Sequence, residues 1–359
     1  MRIIGRSQRG LDRTRTLPLA LLLLMAVAGC SPFYVIRAGY EEAKILSRRR
    51  PIVEVVADSA TPEQVREKLR LVLDARDFAH DSLGLSVGES YTTYSRLDSD
   101  TLAHIVSAAY QDRFAPYTWW FPIVGHVPYK GFFSLEDARD EAAKLRAEGY
   151  DTYIRPTSAF STLGWFNDPL VSPLLRYDSV TLAGTVIHEL LHNTYYASGE
   201  AMFNESLAQF VGSRGAITFL CSRLGETSDG CARARADWHD EMVFGGFLDG
   251  LVQRLDSLYS RTDLTREEKV RQREAIFEDA RERFVDEVQP RFLASSYSGF
   301  LRTPLNNATL ISRRLYYHRL DLFERVFETS GRDLRRTIDR ILAAARSRKD
   351  DPYAGVEGL

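Results

Sequence analysis

Cysteine is scarce in this chain: Cys30, Cys221 and Cys231 are the three in 359 residues. That excludes a small disulfide-framed scaffold and a multi-thiolate zinc domain. No pattern recurs at a fixed period, which excludes a solenoid or propeller. Basic charge is not in surplus, with 47 Lys+Arg against 49 Asp+Glu. Such a chain has no excess of cations to neutralise phosphates, so nucleic-acid binding is not expected. The apolar run from Leu17 to Val27 is well short of the ~20 residues that span a bilayer. Histidine is rare as well, at seven residues, so the placing of any two is informative.

Two of them frame His188-Glu189-Leu190-Leu191-His192, an H-E-x-x-H sequence. Residues four apart share one helix face, so His188 and His192 can present two imidazoles to one Zn²⁺. Glu189 projects about a quarter-turn away and could serve as a base toward a water at the metal. The apolar flank Leu182, Val186, Ile187, Leu190 and Leu191 is helix-compatible. Gly184 is its one weak position, costing about 1 kcal/mol relative to alanine. Ala197-Ser198-Gly199 reads as a turn. A second helical pattern follows at Phe203, Leu207, Phe210 and Val211. Glu205 on that helix could supply a third protein ligand and leave the fourth position open, as a catalytic zinc requires. The plainer alternative is a buried helix with two satisfied histidines, but a His-Glu-His set without a metal leaves polar groups to satisfy.

The H-E-L-L-H sequence followed by Phe203-Asn204-Glu205-Ser206-Leu207-Ala208 resembles the gluzincins, zinc peptidases whose third ligand is a glutamate. In the best-known of these the glutamate lies farther on, so the turn here must be tight. A fuller resemblance is to the bacterial predicted aminopeptidases, zinc-dependent proteins often found as lipoproteins. It is carried by Arg49-Arg50-Pro51-Ile52, Phe121 to Gly125, Tyr129 to Phe133, Ser161 to Phe166, Phe203-Asn204-Glu205 and Leu305 to Ala308. The resemblance implies a zincin-like α+β fold, one Zn²⁺ per chain on His188, His192 and Glu205, and a peptide substrate. It also implies a cleft between two lobes, where an edge strand pairs with an extended peptide. In related zinc peptidases a distant tyrosine or histidine stabilises the oxyanion, and among Tyr316, Tyr317 and His318 the first choice is Tyr317. Gly125 and His126 are candidates for the substrate-facing strand, although a lone strand histidine is more often a structural one. Ser161 to Asp168, including Trp165, either shapes a specificity pocket or is a packed connector. Asn306 and Asn307 either face the cleft or cap a helix. Aminopeptidase activity rests on the resemblance alone, because no glycine-rich strand with a glutamate is visible to hold an α-ammonium. A metalloendopeptidase and a non-catalytic envelope lipoprotein with a structural zinc are the alternatives.

Residues 1–16 carry five arginines and one acid, and the run to Val27 fits a secretory leader. Val27-Ala28-Gly29-Cys30 looks like a bacterial lipobox, with Cys30 lipidated. The expected protein is therefore lipid-anchored in the cell envelope. Ser31 favours the outer membrane, facing the periplasm, by resemblance to enterobacterial sorting. Removing 1–29 leaves 42 basic and 48 acidic residues, a net charge of about −6. Cys221 and Cys231 flank a turn-like stretch and could form a disulfide there; a thiol metal site is the alternative, though the spacing matches no common zinc motif.

The expected organisation is a leader (1–29), a membrane-proximal tether or helix (30–60) and a peptidase domain (61–346), with lobes at about 61–170 and 171–346. Residues 347–359 read as a flexible tail. Thr61-Pro62-Glu63-Gln64 predicts a helix start capped by Thr61. Residues 88–133 and 150–154 read as strands and Ser134 opens an amphipathic helix. The chain reads as helical from about 176. Thr265 to Glu268 is a capping box, and Val270, Phe277 and Phe284 recur at seven-residue steps on a helix closed by Pro290. The overall expectation is α+β, with a sheet-rich N-terminal lobe and a mostly helical C-terminal lobe.

Overall fold

The computed structural model describes residues 32–121, 125–157 and 167–359. The expected leader, Cys30 and Trp165 lie outside these. No helix among the described residues is long and apolar enough to cross a membrane. Met1–Ala43 and Lys44–Leu359 form separate units. The described part of the first is helical, the start of α1 (Pro32–Ser47). The second carries everything that follows, with no division near residue 170.

The first half of this unit mixes short strands with helices. In chain order these are β1 (Arg50–Pro51), α2 (Ile52–Ala57), α3 (Glu63–Asp81), β2 (Thr93–Ser95), β3 (Ala103–Tyr110), β4 (Trp119–Phe121), β5 (Gly125–Val127), β6 (Tyr129–Phe132), α4 (Leu135–Ala147), β7 (Tyr150–Thr157) and β8 (Leu170–Val171). Three small sheets result, ordered β1-β2-β8, β6-β3-β7 and β4-β5. In the second of these β3 is central, antiparallel to both neighbours, with Val106 opposite Lys130 and Ile154. Helix outweighs strand among the described residues, 63% to 11%, so the expected sheet-rich lobe is corrected to a mixed layer.

Helix starts follow side-chain chemistry where a donor is left over. Ser134 Oγ accepts from Asp137 N at 3.3 Å, and α4 has acids in its first turn and Lys144 and Arg146 in its last. Thr61 does not cap α3. The carbonyl of Pro62 takes the first helical N–H groups, from Val65 and Arg66, which puts the proline itself at the N-cap without a side-chain acceptor.

From Ser179 the chain is helical: α5 (Ser179–Thr194), α6 (Ala201–Leu224), α7 (Asp229–Tyr259), α8 (Arg266–Arg283), α9 (Gly299–Arg302), α10 (Asn307–Tyr317), α11 (Leu320–Thr329), α12 (Leu334–Ser347) and α13 (Pro352–Glu357). The apolar stripe of α5 (Leu182, Val186, Ile187, Leu190) packs with Phe203, Leu207, Phe210 and Val211 of α6 in the main core. Each such side chain contributes about 1.5–3 kcal/mol by leaving water. The capping box at Thr265 and Glu268 is present on α8. Phe277 and Phe284 pack with Phe244, Leu248 and Leu251 in a second core, and the chain stays helical until Pro290. Two buried polar ties join the sheet to the helices. Arg273 grips Asp151 of β7 with both terminal nitrogens, at 2.7 and 2.9 Å, and the Asn307 amide donates to the same carboxylate at 3.0 Å.

The flexible tail is also corrected. Asp351 caps α13 by accepting from Ala354 N, and Pro352 and Val356 are buried. Tyr353 hydrogen-bonds Ser206 Oγ at 2.6 Å and its ring lies 5.0 Å from that of Phe203. A capped segment carrying a proline, an aromatic and a valine has enough apolar surface to dock.

Candidate metal centre and its cavity

Helices α5 and α6 are joined by a short turn, and its geometry depends on Asn204. Its Oδ1 accepts from Ala197 N at 2.9 Å and its Nδ2 donates to Ala197 O at 2.7 Å. Both polar ends of the turn residue are thereby satisfied, and Gly199 (φ +85°) supplies the left-handed step. The two helices also cross at very close range. A Cβ on Gly212 would lie 2.7 Å from the Gly184 carbonyl oxygen and 3.0 Å from His188 Cβ. The glycine that weakens α5 on propensity alone is thus the point at which the backbone of α6 approaches it.

This crossing brings the three expected ligands together. His188 Nε2 is 3.4 Å and His192 Nε2 3.8 Å from Glu205 Oε2. The ligand atoms of all three lie within 4.8 Å of one another, and the residues are buried. Two donors about 2.1 Å from one tetrahedral zinc stand roughly 3.4 Å apart, so the set fits a single small divalent ion. The other oxygen of the carboxylate, Glu205 Oε1, accepts from Tyr129 OH at 3.3 Å, a contact that holds the ligand's plane. Burial works to raise the Glu205 pKa, but the hydrogen bonds and charges of His188 and His192 outweigh it and keep the carboxylate ionised. Burial opposes protonation of His192, while Glu205 and Glu189 raise its pKa overall. His192 Nδ1 is buried without a hydrogen-bond partner among the described residues.

Glu189 and His188 open onto a cavity of about 550 Å³. The pKa of Glu189 is raised, chiefly by burial; the two histidines pull it down, while Glu205 and Asp168 push it up. The strand that reaches this cavity is β7, through Arg155, Pro156 and Thr157. Among the described residues it is an edge strand, paired only with β3.

The expected strand at Gly125 and His126 lies elsewhere. His126 is exposed, with its Nδ1 3.2 Å from Thr118 Oγ1, and does not line the cavity. Gly125 (φ +76°) instead packs beside the α5–α6 turn, where a Cβ would meet Ser198 Oγ at 2.9 Å.

Tyr317 and Tyr316 both line the cavity. The Tyr317 ring lies 5.2 Å from Phe244 and 6.2 Å from Tyr297. The residue facing the ligands is Tyr316, whose ring is 6.1 Å from that of His188. Successive helical residues point about 100° apart, so one position decides which tyrosine faces the site. Arg155 Nη2 donates to Tyr316 OH at 2.8 Å, which leaves the phenolic proton free to donate. Burial, with Glu205 and Glu189 nearby, pushes this hydroxyl up to about 12 despite Arg155. His318 turns away to Asp249. Asn306 caps α10 through Thr309 N, and Asn307 is buried, donating to the Tyr110 carbonyl. Cys221 and Cys231 form a disulfide between the end of α6 and the start of α7, which closes the thiol-metal alternative.

Sequence reasoning missed Arg155, the orienting role of Tyr129, and the acids and aromatics of the cavity, because each is brought in by a separate element. The chain matches the Aminopep family, described as "Putative aminopeptidase", over residues 33–352. That span is most of its length, and the chain belongs to this family. No curated protein and no solved structure is matched.

Proposed function

We propose that this protein is a zinc-dependent, zincin-like peptidase, an aminopeptidase of the bacterial cell envelope. The observation that carries the reading is the convergence of His188, His192 and Glu205, with His188 and the neighbouring Glu189 lining a peptide-sized cavity. Zinc held by the three ligands would polarise a scissile carbonyl and acidify a water. Glu189, buried beside the ligands, takes the proton of the attacking water and delivers it to the leaving amine. Tyr316, held by Arg155, donates to the oxygen on which charge develops. Tyr129 keeps the Glu205 carboxylate turned toward the histidines. The edge of β7 offers backbone groups to an extended substrate.

The envelope location is supported by the lipobox-like Val27 to Cys30 and by the disulfide, which persists in an oxidising compartment. Exo-cleavage is supported by the family description.

The deciding experiment compares matched peptides with free and acetylated N-termini on the zinc-loaded protein. An aminopeptidase cleaves only the free ones, one residue at a time. Internal cleavage of both would replace this reading with an endopeptidase, and no zinc-dependent turnover of either would remove the peptidase reading. Tyr316→Phe should lower kcat by ~10²-fold, the usual cost of one oxyanion donor, with KM and zinc content little changed. An unaltered kcat would remove Tyr316 from the chemistry.

A further inference from the structure

Beyond the ligands, the cavity runs on between α5, α6 and α7. Glu205, Gln209 and Ser213 stand at four-residue steps on one face of α6. Gln209 and Ser213 are thus about 6 and 12 Å along the helix axis from the metal ligand. Both donate to a single carboxylate on α7. Gln209 Nε2 reaches Glu241 Oε1 at 2.9 Å, and Ser213 Oγ reaches Glu241 Oε2 at 2.8 Å. Glu241 lines the cavity together with Trp238, Tyr297 and Tyr317.

Among the described residues no Lys, Arg or His forms an ion pair with Glu241, and the nearby cation Arg233 is taken by Asp237 at 3.0 Å. An ionised carboxylate withdrawn from water and left unpaired is costly. Burial is the main cause that moves the Glu241 pKa up to about 7; Gln209 and Ser213 oppose it and Asp237 and Asp240 add to it. The loop opposite is fixed, because Asp240 accepts the amides of Leu293, Ala294 and Ser295 at 2.7–2.8 Å and so holds Tyr297 in place.

The cavity is also lined by Arg155, Arg176 and Arg233, but its part bounded by Trp238, Tyr297, Tyr317 and the hydrogen-bonded carboxylate of Glu241 matches an alkyl chain tipped by a cation. Distance selects which cation. A substrate's α-ammonium is two bonds from the scissile carbonyl carbon, about 2.5 Å, whereas a lysine ammonium extends about 6 Å from its Cα. Only the second reaches a carboxylate lying one to two helical turns beyond the ligand set.

Resting on the peptidase reading, we propose that Glu241 is a specificity-determining residue that receives the side-chain cation of an N-terminal lysine or arginine, with the stem of that side chain between Trp238, Tyr297 and Tyr317.

The test uses the full zinc-loaded chain and aminoacyl-coumarin amides of Lys, Arg and Leu. The parent should prefer Lys and Arg. In Glu241→Gln the Lys-to-Leu ratio of kcat/KM should fall at least ~30-fold, as expected when one partner of a buried charge pair is lost. Glu241→Asp keeps the charge one methylene farther back and should shift preference from Lys toward the longer Arg. Agmatine binding by calorimetry reads the site without turnover: the parent should bind it and Glu241→Gln should not. The parent should also lose stability as pH rises from about 4.5 to 7, where folded Glu241 keeps a proton that the unfolded chain has released, and Glu241→Gln should flatten that slope. Selective agmatine binding with no hydrolysis would keep the cation site and remove the peptidase reading. Equal Lys-to-Leu ratios in parent and Glu241→Gln, or agmatine binding that is absent or unchanged by the substitution, would overturn the proposal.

Discussion

Glu189→Gln should retain its metal and hydrolyse peptides at least ~10³-fold more slowly. The amide has nearly the shape of the carboxylate, so the packing of α5 is preserved. None of the three candidate ligands, His188, His192 and Glu205, is replaced, and Glu189 itself lines the cavity beside His188. What is lost is a proton acceptor whose basicity is raised, first by burial and then by Glu205 and Asp168. General-base catalysis contributes typically 10²–10⁴-fold, and here one group serves both attack and departure. KM should change little, since the neutral amide still fills the site. Steady-state kinetics beside zinc analysis by mass spectrometry checks this. A variant that is fully active with a full complement of zinc would sink the mechanism.

The second large effect is on the metal itself. Glu205→Ala removes the only carboxylate of the ligand set and the group that draws both imidazoles inward, at 3.4 and 3.8 Å. Loss of a group that merely orients a ligand costs 10–100-fold in affinity, so loss of a ligand should cost more than about 100-fold. The purified variant should carry under about a tenth of the parent's zinc and show no measurable turnover. The helices should remain, because the core of α5 and α6 is built from Leu182, Val186, Phe203 and Phe210 rather than from the ligands. Circular dichroism matching the parent, together with lost zinc, is the expected pair of results. Parental zinc affinity would show that the ion, if bound, sits elsewhere.

The cluster of His188, His192 and Glu205 was legible because one helical repeat carries two of its members. His188 and His192 need no tertiary information to share a face, and Glu205 needs only a tight turn. The caps at Ser134 and Thr265 were legible for the same local reason. Tyr316 was not, because the phase of α10 is fixed by its start at Asn306 and an error of one residue exchanges the two tyrosines. Glu241 was hidden in α7, a helix whose mixed polar residues look solvated until the loop at 293–297 is folded over them. The helix at 352–357 depends on Ser206 and Phe203, far away in sequence. Backbone strain and ring contacts of this kind leave no periodicity to read.

The crossing at Gly184 and Gly212 sets more than a packing distance. Because Gly212 has no side chain, its backbone can lie against α5, where a Cβ would stand 2.7 Å from the Gly184 carbonyl oxygen, and the spacing of the candidate ligands is set by packed helices and not by a loop. An ion larger than zinc would have to push two backbones apart to be gripped by all three residues. On the proposed zinc reading, a preference for a small ion would then rest on the hydrogen atom that Gly212 carries in place of a side chain, at a point where no candidate ligand is involved.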